Sequence, residues 1–210
     1  MLLPSGGNAT NPSYLSPMLD NLKKYHIILA SNSPRRRELL AGLGIDYDVR
    51  VLPDIDESYP HDLPASQTAE FIARKKAEAY KAVMHTDELV ITADTVVIVG
   101  TQVLGKPHDA ADAARMLRLL SGSTHQVITG VCLVSAHSMR SFSVTTDVTF
   151  KELTEEEIEH YIEVYRPFDK AGAYGIQEWI GYIGVTGLNG SYFNVMGLPV
   201  QRIYTELAHV

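Results

Sequence analysis

Three consecutive arginines, Arg35, Arg36 and Arg37, follow Ser33 and Pro34 and are the first residues whose types and spacing point to chemistry. Ser33 is a good N-cap and Pro34 suits the first helical position, so the sequence predicts that a helix begins here. Because a helix N-terminus carries partial positive charge, three cations in the first turn are unfavourable unless an anion binds there. Backbone N–H groups and guanidinium groups together suit a phosphate, and the alternative interpretation is a solvated basic turn.

A single carboxylate, Asp94, interrupts the apolar run from Leu89 to Val99. Burying a lone carboxylate is costly, so such a residue is normally paired with a cation, bound to a metal or raised in pKa for catalysis. A turn at residues 100–102 brings the chain back, and we expect Lys106 beside the same end of the sheet as Asp94. A site that binds phosphate and a metal ion would need an acidic and a basic residue close together, as Asp94 and Lys106 are expected to be. A structural aspartate in a local turn and a plain ion pair are the alternatives.

Two loops carry further polar groups. The first, residues 53–57, has three carboxylates within four residues, which can hold a hard cation through oxygen or form a solvated turn. The second, residues 167–177, combines Asp169, Lys170 and Gln177 with glycines that allow the backbone to approach a ligand closely. An ordinary loop is the alternative interpretation of this second segment.

The hydrophobic pattern predicts the elements that must position these residues. Predicted strands cover residues 27–30, 47–52, 89–99, 127–134, 142–150 and 179–185. Predicted helices run from Pro34 to a stop at Gly42–Gly44 and over residues 67–83, 109–120, 154–165 and 198–207. Thr154 and Glu157 form a capping box at the start of the fourth helix. Asp94 is therefore expected in a strand, and the other polar groups in loops or at a helix start.

The composition, 45% hydrophobic and 20% charged residues, is that of an ordinary globular protein. A formal net charge of −7 argues against nonspecific nucleic-acid binding, which needs a basic face, and no window has the apolar length of a membrane span. The one cysteine, Cys132, excludes an internal disulfide and favours a reducing compartment, so we expect a cytoplasmic protein. Residues 1–24 lack an apolar signal-peptide core and are expected to form a flexible tail.

Five short motifs occur in an order and spacing that resemble one family. They are Ser31-Asn32-Ser33-Pro34-Arg35-Arg36, Ala93-Asp94-Thr95, Gly105-Lys106-Pro107, Ser121-Gly122 and Asp169-Lys170-Ala171-Gly172-Ala173-Tyr174-Gly175-Ile176-Gln177. Together they resemble the Maf family of nucleoside triphosphate pyrophosphatases over about Ile27 to Leu207. The resemblance implies one domain over residues 25–210, with an elongated mixed α/β sheet, two lobes and a central cleft, similar to inosine triphosphate pyrophosphatases. It also implies hydrolysis of a nucleoside triphosphate to the monophosphate and pyrophosphate.

The resemblance assigns roles to individual residues. It implies that Asp94 is the proton acceptor, with Arg36 and Lys106 as its catalytic partners. The positions implied to line the phosphate and metal site are Ser31, Arg36, Glu57, Lys76 and Lys106. Asp169 and Lys170 belong to the long glycine-containing motif and are expected to contact substrate. A divalent cation, Mg²⁺, Mn²⁺ or Co²⁺, is implied, with Asp94 and Glu57 as its ligands, and whether Asp94 acts as base or ligand stays open.

Three positions are associated with base choice in the resembled family, namely Arg35, Thr95 and Gln177. The branch that this chain resembles there prefers dTTP and UTP, whereas the branch acting on 7-methyl-GTP has tryptophan, glutamine and glutamate at the three positions. The expected partners are a nucleoside triphosphate and, as an alternative to a monomer, a second copy of the chain in a homodimer. Rival hypotheses are a nucleotide-binding regulator of septum formation with little catalysis and a purine triphosphate pyrophosphatase that clears inosine nucleotides. A nucleic-acid-binding module is the least favoured.

Overall fold

The computed structural model describes residues 17–210, and of Pro17 and Met18 only the backbone. The strands are β1 (His26–Leu29), β2 (Asp48–Val49), β3 (Glu88–Val99), β4 (Gln102–Leu104), β5 (Thr124–Ser135), β6 (Met139–Phe150) and β7 (Val185–Asn189). The α-helices are α1 (Pro34–Ala41), α2 (Thr68–Lys81), α3 (Ala110–Leu120), α4 (Glu155–Tyr165), α5 (Trp179–Gly184), α6 (Tyr192–Met196) and α7 (Val200–Leu207). Short 3-10 helices cover Pro17–Lys24, Ala65–Gln67 and Ala171–Ala173.

The strands form one mixed sheet in the order β2-β1-β3-β5-β6-β7, with β4 paired to β3. Strand β1 is parallel to both β2 and β3, and the remaining pairs are antiparallel. The long strands β5 and β6 are joined by a short turn, as antiparallel neighbours allow, while the parallel pair β1 and β3 is connected through α1 and α2. The mixed α/β fold expected from the resemblance is confirmed.

One edge of β3 is split between two short strands. Strand β1 pairs with β3 only as far as Ile91, and β4 pairs with it only from Val97 onward. Within the described part of the chain, no strand pairs with residues 92–96 along this edge. Asp94 and Thr95 lie in this gap, so their surroundings are formed by side chains and loops from both ends of the sheet.

Two hydrophobic clusters on one face of the sheet form the two lobes. The first surrounds β1, α1 and α7 and takes Leu89, Ile91 and Ala93 from β3. The second surrounds α3, α4 and α5 and takes Val97 from the same strand. Thr95 separates the two clusters, because alternate residues of a strand share one face. The expected cleft between the lobes therefore crosses β3 at Thr95.

Helix α2 covers the opposite face of the sheet at close range. A Cβ atom built at Gly130 would lie 2.3 Å from the backbone of Ala69, so only glycine in β5 permits this approach. The Thr92 hydroxyl donates to the carbonyl of Ala73 over 2.6 Å and ties β3 to the same helix. The close approach places the middle of α2, including Lys76, directly over the gap beside β3.

Most predicted elements are present, but the strand predicted over residues 47–52 covers only Asp48–Val49, and strand β4 and helix α6 were not predicted. Two further segments differ from the prediction. Residues 17–24 were expected to belong to a flexible tail, but they are helical, and Leu19 and Leu22 are buried in the first cluster. Residues 1–16 of that expectation lie outside the described residues. The strand predicted over residues 179–185 is wrong, since residues 179–184 form α5 and β7 begins only at Val185. Short apolar runs do not distinguish a strand from a buried helix.

The predicted helix ends are largely confirmed. The side chain of Ser33 accepts from the backbone N–H of Arg36 at the start of α1, and Pro34 occupies the first turn. The capping box of Thr154 and Glu157 is formed at the start of α4. No helix among residues 17–210 is long and apolar enough to cross a membrane.

Candidate functional site

A cavity of about 300 Å³ opens at the gap in the sheet. Almost every site residue predicted from the sequence lines it, namely Arg35, Arg36, Glu57, Lys76, Asp94, Thr95, Lys106, Asp169, Lys170 and Gln177. Ser31 lines a neighbouring cavity that shares Arg36, Lys76 and Lys106 with the first. The structure therefore brings these side chains together, and the individual roles assigned to them stay predictions.

The ammonium group of Lys76 joins the two carboxylates that the sequence proposes as metal ligands. Its Nζ lies 2.9 Å from Oδ1 of Asp94 and 3.0 Å from Oε1 of Glu57. Asp94 and Lys76 are largely buried, with 15% and 13% of their side chains exposed, whereas Glu57 is 56% exposed. Lys76 reaches Asp94 because the Asp94 side chain lies on the face of β3 that α2 covers at close range. The buried carboxylate is thus paired with a cation, which offsets the cost of burying it.

Arg36 is half-buried and is held by neutral acceptors. Its Nη1 donates to the carbonyl of Ala93 over 3.0 Å, its Nη2 to Oγ1 of Thr95 over 3.0 Å, and its Nε to the carbonyl of Gly197 over 2.8 Å. Burial lowers the pKa of Arg36 from its ordinary value, and the nearby charge of Asp94 opposes this change. The guanidinium group thus donates a hydrogen bond to a carbonyl of β3 that no described strand pairs with. Nη1 and Nη2 each carry two hydrogens, and one hydrogen on each remains available to a ligand.

Arg35, the neighbour of Arg36, makes an ionic contact instead. Its Nη1 lies 2.9 Å from Oδ2 of Asp169, whose Oδ1 lies 2.7 Å from Nζ of Lys170. Partial burial of Asp169 would raise its pKa, but hydrogen bonds from Lys170 and Arg35 outweigh this effect and lower the pKa to about 2. Asp169 therefore connects the start of α1 to the glycine-containing loop on the other lobe.

Lys170 is engaged by two carboxylates. Its side chain is 8% exposed, and its Nζ lies 3.1 Å from Oε1 of Glu178 in addition to its contact with Asp169. The second oxygen of Glu178 accepts from the hydroxyl of Tyr161, which accepts from the backbone N–H of Gly175 over 3.0 Å. Burial raises the pKa of Tyr161, and so does its bond to Glu178, so the phenol stays protonated. The charge of Lys170 is thus largely committed to holding this loop.

Two polar groups of cavity-lining residues have no partner in the part of the chain that the structure describes. Lys106 is exposed and, in the part of the chain that the structure describes, its ammonium group makes no ion pair. Oε1 of Gln177 is buried and accepts no hydrogen bond from any described residue. A buried acceptor without a partner is costly unless a ligand or water satisfies it. Lys106 suits an anion, and Gln177 suits a group with an N–H.

The structure places Ser31 farther from the centre of the cavity. Its Oγ accepts from the backbone N–H of Ser33 over 3.2 Å, so this side chain shapes the loop that precedes α1. It lines the neighbouring cavity together with Asn32 and Arg36.

Comparison with family models matches residues 26–210 to the family described as Maf-like protein. The chain belongs to the Maf family. Curated Maf relatives include a protein of Phocaeicola vulgatus, 65% identical over 90% of this chain and 98% of its own length, and one of Bacteroides thetaiotaomicron, 58% identical over the same shares. A third, from Parabacteroides distasonis, is 58% identical over 91% of this chain and all of its own. All three are named dTTP/UTP pyrophosphatase.

Among solved structures, a HAM1 protein from Coxiella burnetii is similar to this Maf chain with a TM-score of 0.47 and 14% identity. The similarity covers 89% of this chain and all of that one.

The carboxylates of this Maf chain fit a divalent metal that is shared with a substrate. No group of three or more His, Cys, Asp or Glu side chains within residues 17–210 is arranged to hold a metal ion by itself. Asp94 and Glu57 supply oxygen ligands that converge on one point, where Lys76 now lies. Magnesium is usually bound by one or two carboxylates together with substrate phosphates and water, so this donor set suits it.

Several residues that shape the Maf site were missed at the sequence level. Glu178 and Tyr161 brace the glycine-containing loop, and Thr129 contacts Thr95 across two strands, with its Oγ1 2.9 Å from that of Thr95. Glu178 directly follows Gln177, and a charge beside a glycine-rich loop is the only sequence signal that these residues offer. Tyr161 and Thr129 lie in ordinary amphipathic or apolar patterns, so their contacts follow only from the fold.

Proposed function

We propose that this chain hydrolyses dTTP and UTP to the nucleoside monophosphate and pyrophosphate. The observation that carries the proposal is the arrangement at the gap in the sheet, where one buried carboxylate, Asp94, shares a cavity with Arg36, Lys76 and Lys106. Cations that outnumber the carboxylates of the cavity suit a triphosphate, whose charge they neutralise, and the Asp94 carboxylate suits a water molecule that must be activated. The names of the curated relatives support the same substrates.

In this proposal, Asp94 accepts a proton from the water that attacks the α-phosphorus. Its carboxylate lines the cavity, and its Oδ1 lies 2.9 Å from Nζ of Lys76 before a substrate binds. Lys106, which is exposed on the cavity wall, binds the oxygens of the leaving pyrophosphate. Arg36 donates its remaining hydrogens to phosphate oxygens from a position fixed by three protein acceptors. Phosphoryl transfer depends mainly on such positioning and charge neutralisation.

Asp94 and Glu57 would hold a divalent cation together with the phosphates. When bound, the cation supplies neutralisation of the charge on the triphosphate. Lys76 occupies the point between the two carboxylates, so binding requires that its ammonium group turn toward the phosphate oxygens. The flexible stem of lysine allows such a movement at modest cost, and Glu57 is exposed enough to move with it.

The base is recognised by residues on the Thr95 side of the cavity. Gln177 offers a buried oxygen without a protein partner, which suits the N3–H group shared by uracil and thymine. Arg35 lines the same cavity, but Asp169 already binds its guanidinium group. In this arrangement Arg35 and Asp169 limit the space for the base, and Gln177 supplies the direct hydrogen bond.

Pyrophosphate release from a nucleotide panel tests this function. The panel contains dTTP, UTP, CTP, GTP, ITP and 7-methyl-GTP, each with Mg²⁺, Mn²⁺ or Co²⁺ and with EDTA as the control. We expect pyrophosphate from dTTP and UTP in the presence of metal and little from the purine nucleotides. Tight binding without turnover would instead support a regulatory protein. Preferential turnover of ITP would support an enzyme that clears inosine nucleotides.

A further inference from the structure

The hydroxyl of Thr95 lines the cavity and contacts two other side chains. Nη2 of Arg36 donates to its Oγ1 over 3.0 Å, and the same oxygen lies 2.9 Å from Oγ1 of Thr129. Thr129 lies in β5 and is fully buried. The distance between the hydroxyls alone does not show which one donates.

A third contact fixes the direction of this pair. Oγ1 of Thr129 lies 3.1 Å from the backbone carbonyl of Asn194, and a carbonyl can only accept. Thr129 has one hydroxyl proton and therefore donates it to Asn194. The Thr95 hydroxyl must then donate to Thr129, while Arg36 donates to Thr95. With its proton committed, the Thr95 oxygen can offer only a lone pair to a ligand in the cavity.

The carbonyl that sets this direction is itself held in place. The amide of Asn194 donates to the carbonyl of Val127 and to Oγ1 of Thr146, each over 3.0 Å. Asn194 is fully buried in α6, and the Ser191 side chain caps the start of that short helix. Rotation of the Asn194 carbonyl away from Thr129 would break several buried hydrogen bonds, so the direction is stable.

We propose that Thr129, together with the Asn194 carbonyl, holds Thr95 as a hydrogen-bond acceptor and thereby selects bases with an imide N3–H over cytosine. This inference rests on the proposed function and names how its site distinguishes pyrimidines. Thr95 and Gln177 both line one cavity, and the buried Oε1 of Gln177 has no partner among the described residues. Uracil and thymine present an N–H between two carbonyls, which fits such a wall. Cytosine presents a lone pair at N3, which would face an acceptor and stay unpaired.

The test compares substitutions that remove or retain the Thr129 hydroxyl. Thr129→Val keeps the shape and removes the hydroxyl that accepts from Thr95, whereas Thr129→Ser keeps this hydroxyl and is the matched control. We measure kcat/KM for UTP, dTTP and CTP, and the Kd of the non-hydrolysable α,β-imido analogues of UTP and CTP. In Thr129→Val the Thr95 proton is free to turn toward the cavity, so the preference for UTP over CTP should fall about tenfold, the size expected for one unsatisfied polar contact.

The UTP-to-CTP ratios of the two variants support or overturn the role of Thr129. A reduced UTP-to-CTP ratio in Thr129→Val, with the parent ratio retained in Thr129→Ser, supports it. An unchanged ratio, or an equal loss for all nucleotides, shows that Thr129 is merely structural and overturns it. If Thr129→Val does not fold, Thr129→Cys replaces it. Cysteine differs from the serine of the control only by sulfur in place of oxygen, and its thiol is a weak hydrogen-bonding group. If the parent releases no pyrophosphate, the proposed function fails, and the two Kd values still decide the role of Thr129.

Discussion

Two regions of the cavity hold their side chains by different means. In the ionic region, formed by Glu57, Lys76 and Asp94, opposite charges contact each other at about 3 Å. In the neutral region, formed by Arg36, Thr95 and Thr129, uncharged oxygens satisfy a half-buried guanidinium group and one another. Asp94 and Thr95 are adjacent in sequence, and the alternation of a strand directs them to opposite faces. One strand therefore separates the charged chemistry from the recognition of the base.

Because the two regions are held by different interactions, they should respond to different substitutions and conditions. Ion pairs respond to charge removal, pH and salt, whereas neutral hydrogen bonds respond to loss of a donor or acceptor. Substitutions in the ionic region should therefore change turnover and phosphate binding. Substitutions of Thr95 and Thr129 in the neutral region should change the choice among bases.

The largest effect is expected for Asp94→Asn, which keeps the shape of the side chain and removes its charge. We expect kcat for dTTP to fall on the order of 10²- to 10³-fold, because a positioned catalytic group is lost from a preorganised site. The preference for UTP over CTP should change little. Steady-state pyrophosphate release at saturating Mg²⁺ measures both quantities.

Asp56→Asn is the control for this substitution. Asp56 lies in the same acidic loop as Glu57 but pairs with Lys75 on the exposed surface, outside the lining of the cavity. It should leave kcat within a factor of about two, as surface ion pairs contribute little. Turnover of dTTP by Asp94→Asn at the parent rate would contradict the role assigned to the ionic region.

A smaller effect is expected for Lys106→Met, which removes the cavity lysine that has no described partner. We expect kcat/KM to fall roughly 10- to 100-fold, the size of one hydrogen bond to a charged group. The loss should appear mainly in KM and should be similar for dTTP and UTP, since both carry the same triphosphate. Lys75→Met, on the exposed side of α2, is the matched control. A loss confined to one base would place Lys106 in recognition of the base instead.

The sequence predicted which residues meet in the cavity better than it predicted how they are held. Asp94 and Lys106 were expected at one end of the sheet, and both line the cavity, because a strand and its return turn constrain them locally. Arg36 is expected to bind phosphate, and the three protein oxygens that also hold it were not predicted. All three acceptors, in residues 93, 95 and 197, lie far along the chain. Such contacts leave no periodic signal, so only the fold shows them.

The same limit explains the segments that differ. The run over residues 179–184 has the composition of a strand, but a Cβ at Gly181 would lie 1.8 Å from the carbonyl of Ile176. The helix α5 therefore packs directly on the preceding loop, which no local pattern indicates. Leu19 and Leu22 are isolated apolar residues in the sequence, and their burial depends on β1 and α7 lying beside them. Both the helix at residues 179–184 and the burial of Leu19 and Leu22 therefore depend on tertiary packing.

The smallest effect concerns the pH dependence of the contact between Arg35 and Asp169. The pKa of Asp169 is about 2 in the folded chain and below its ordinary value of 3.8, so the carboxylate stabilises the folded state above pH 4. This contribution is lost as the pH falls from 4 through 2. Because Asp169 is more than half exposed, solvent limits its size to less than about 1 kcal/mol.

Urea unfolding of the parent and of Asp169→Asn between pH 5 and pH 2 measures this contribution. The difference between their free energies of unfolding should shrink as the pH falls, because protonation makes the parent resemble the variant. Asp62→Asn is the control, since Asp62 makes no ion pair with any described residue. Arg36 has only neutral direct partners, so its contacts should persist to the lowest pH at which the chain stays folded. If the difference in free energy of unfolding did not depend on pH, the Asp169 carboxylate would add no ionic stabilisation. Arg35 and Arg36 would then differ only in the geometry of their contacts.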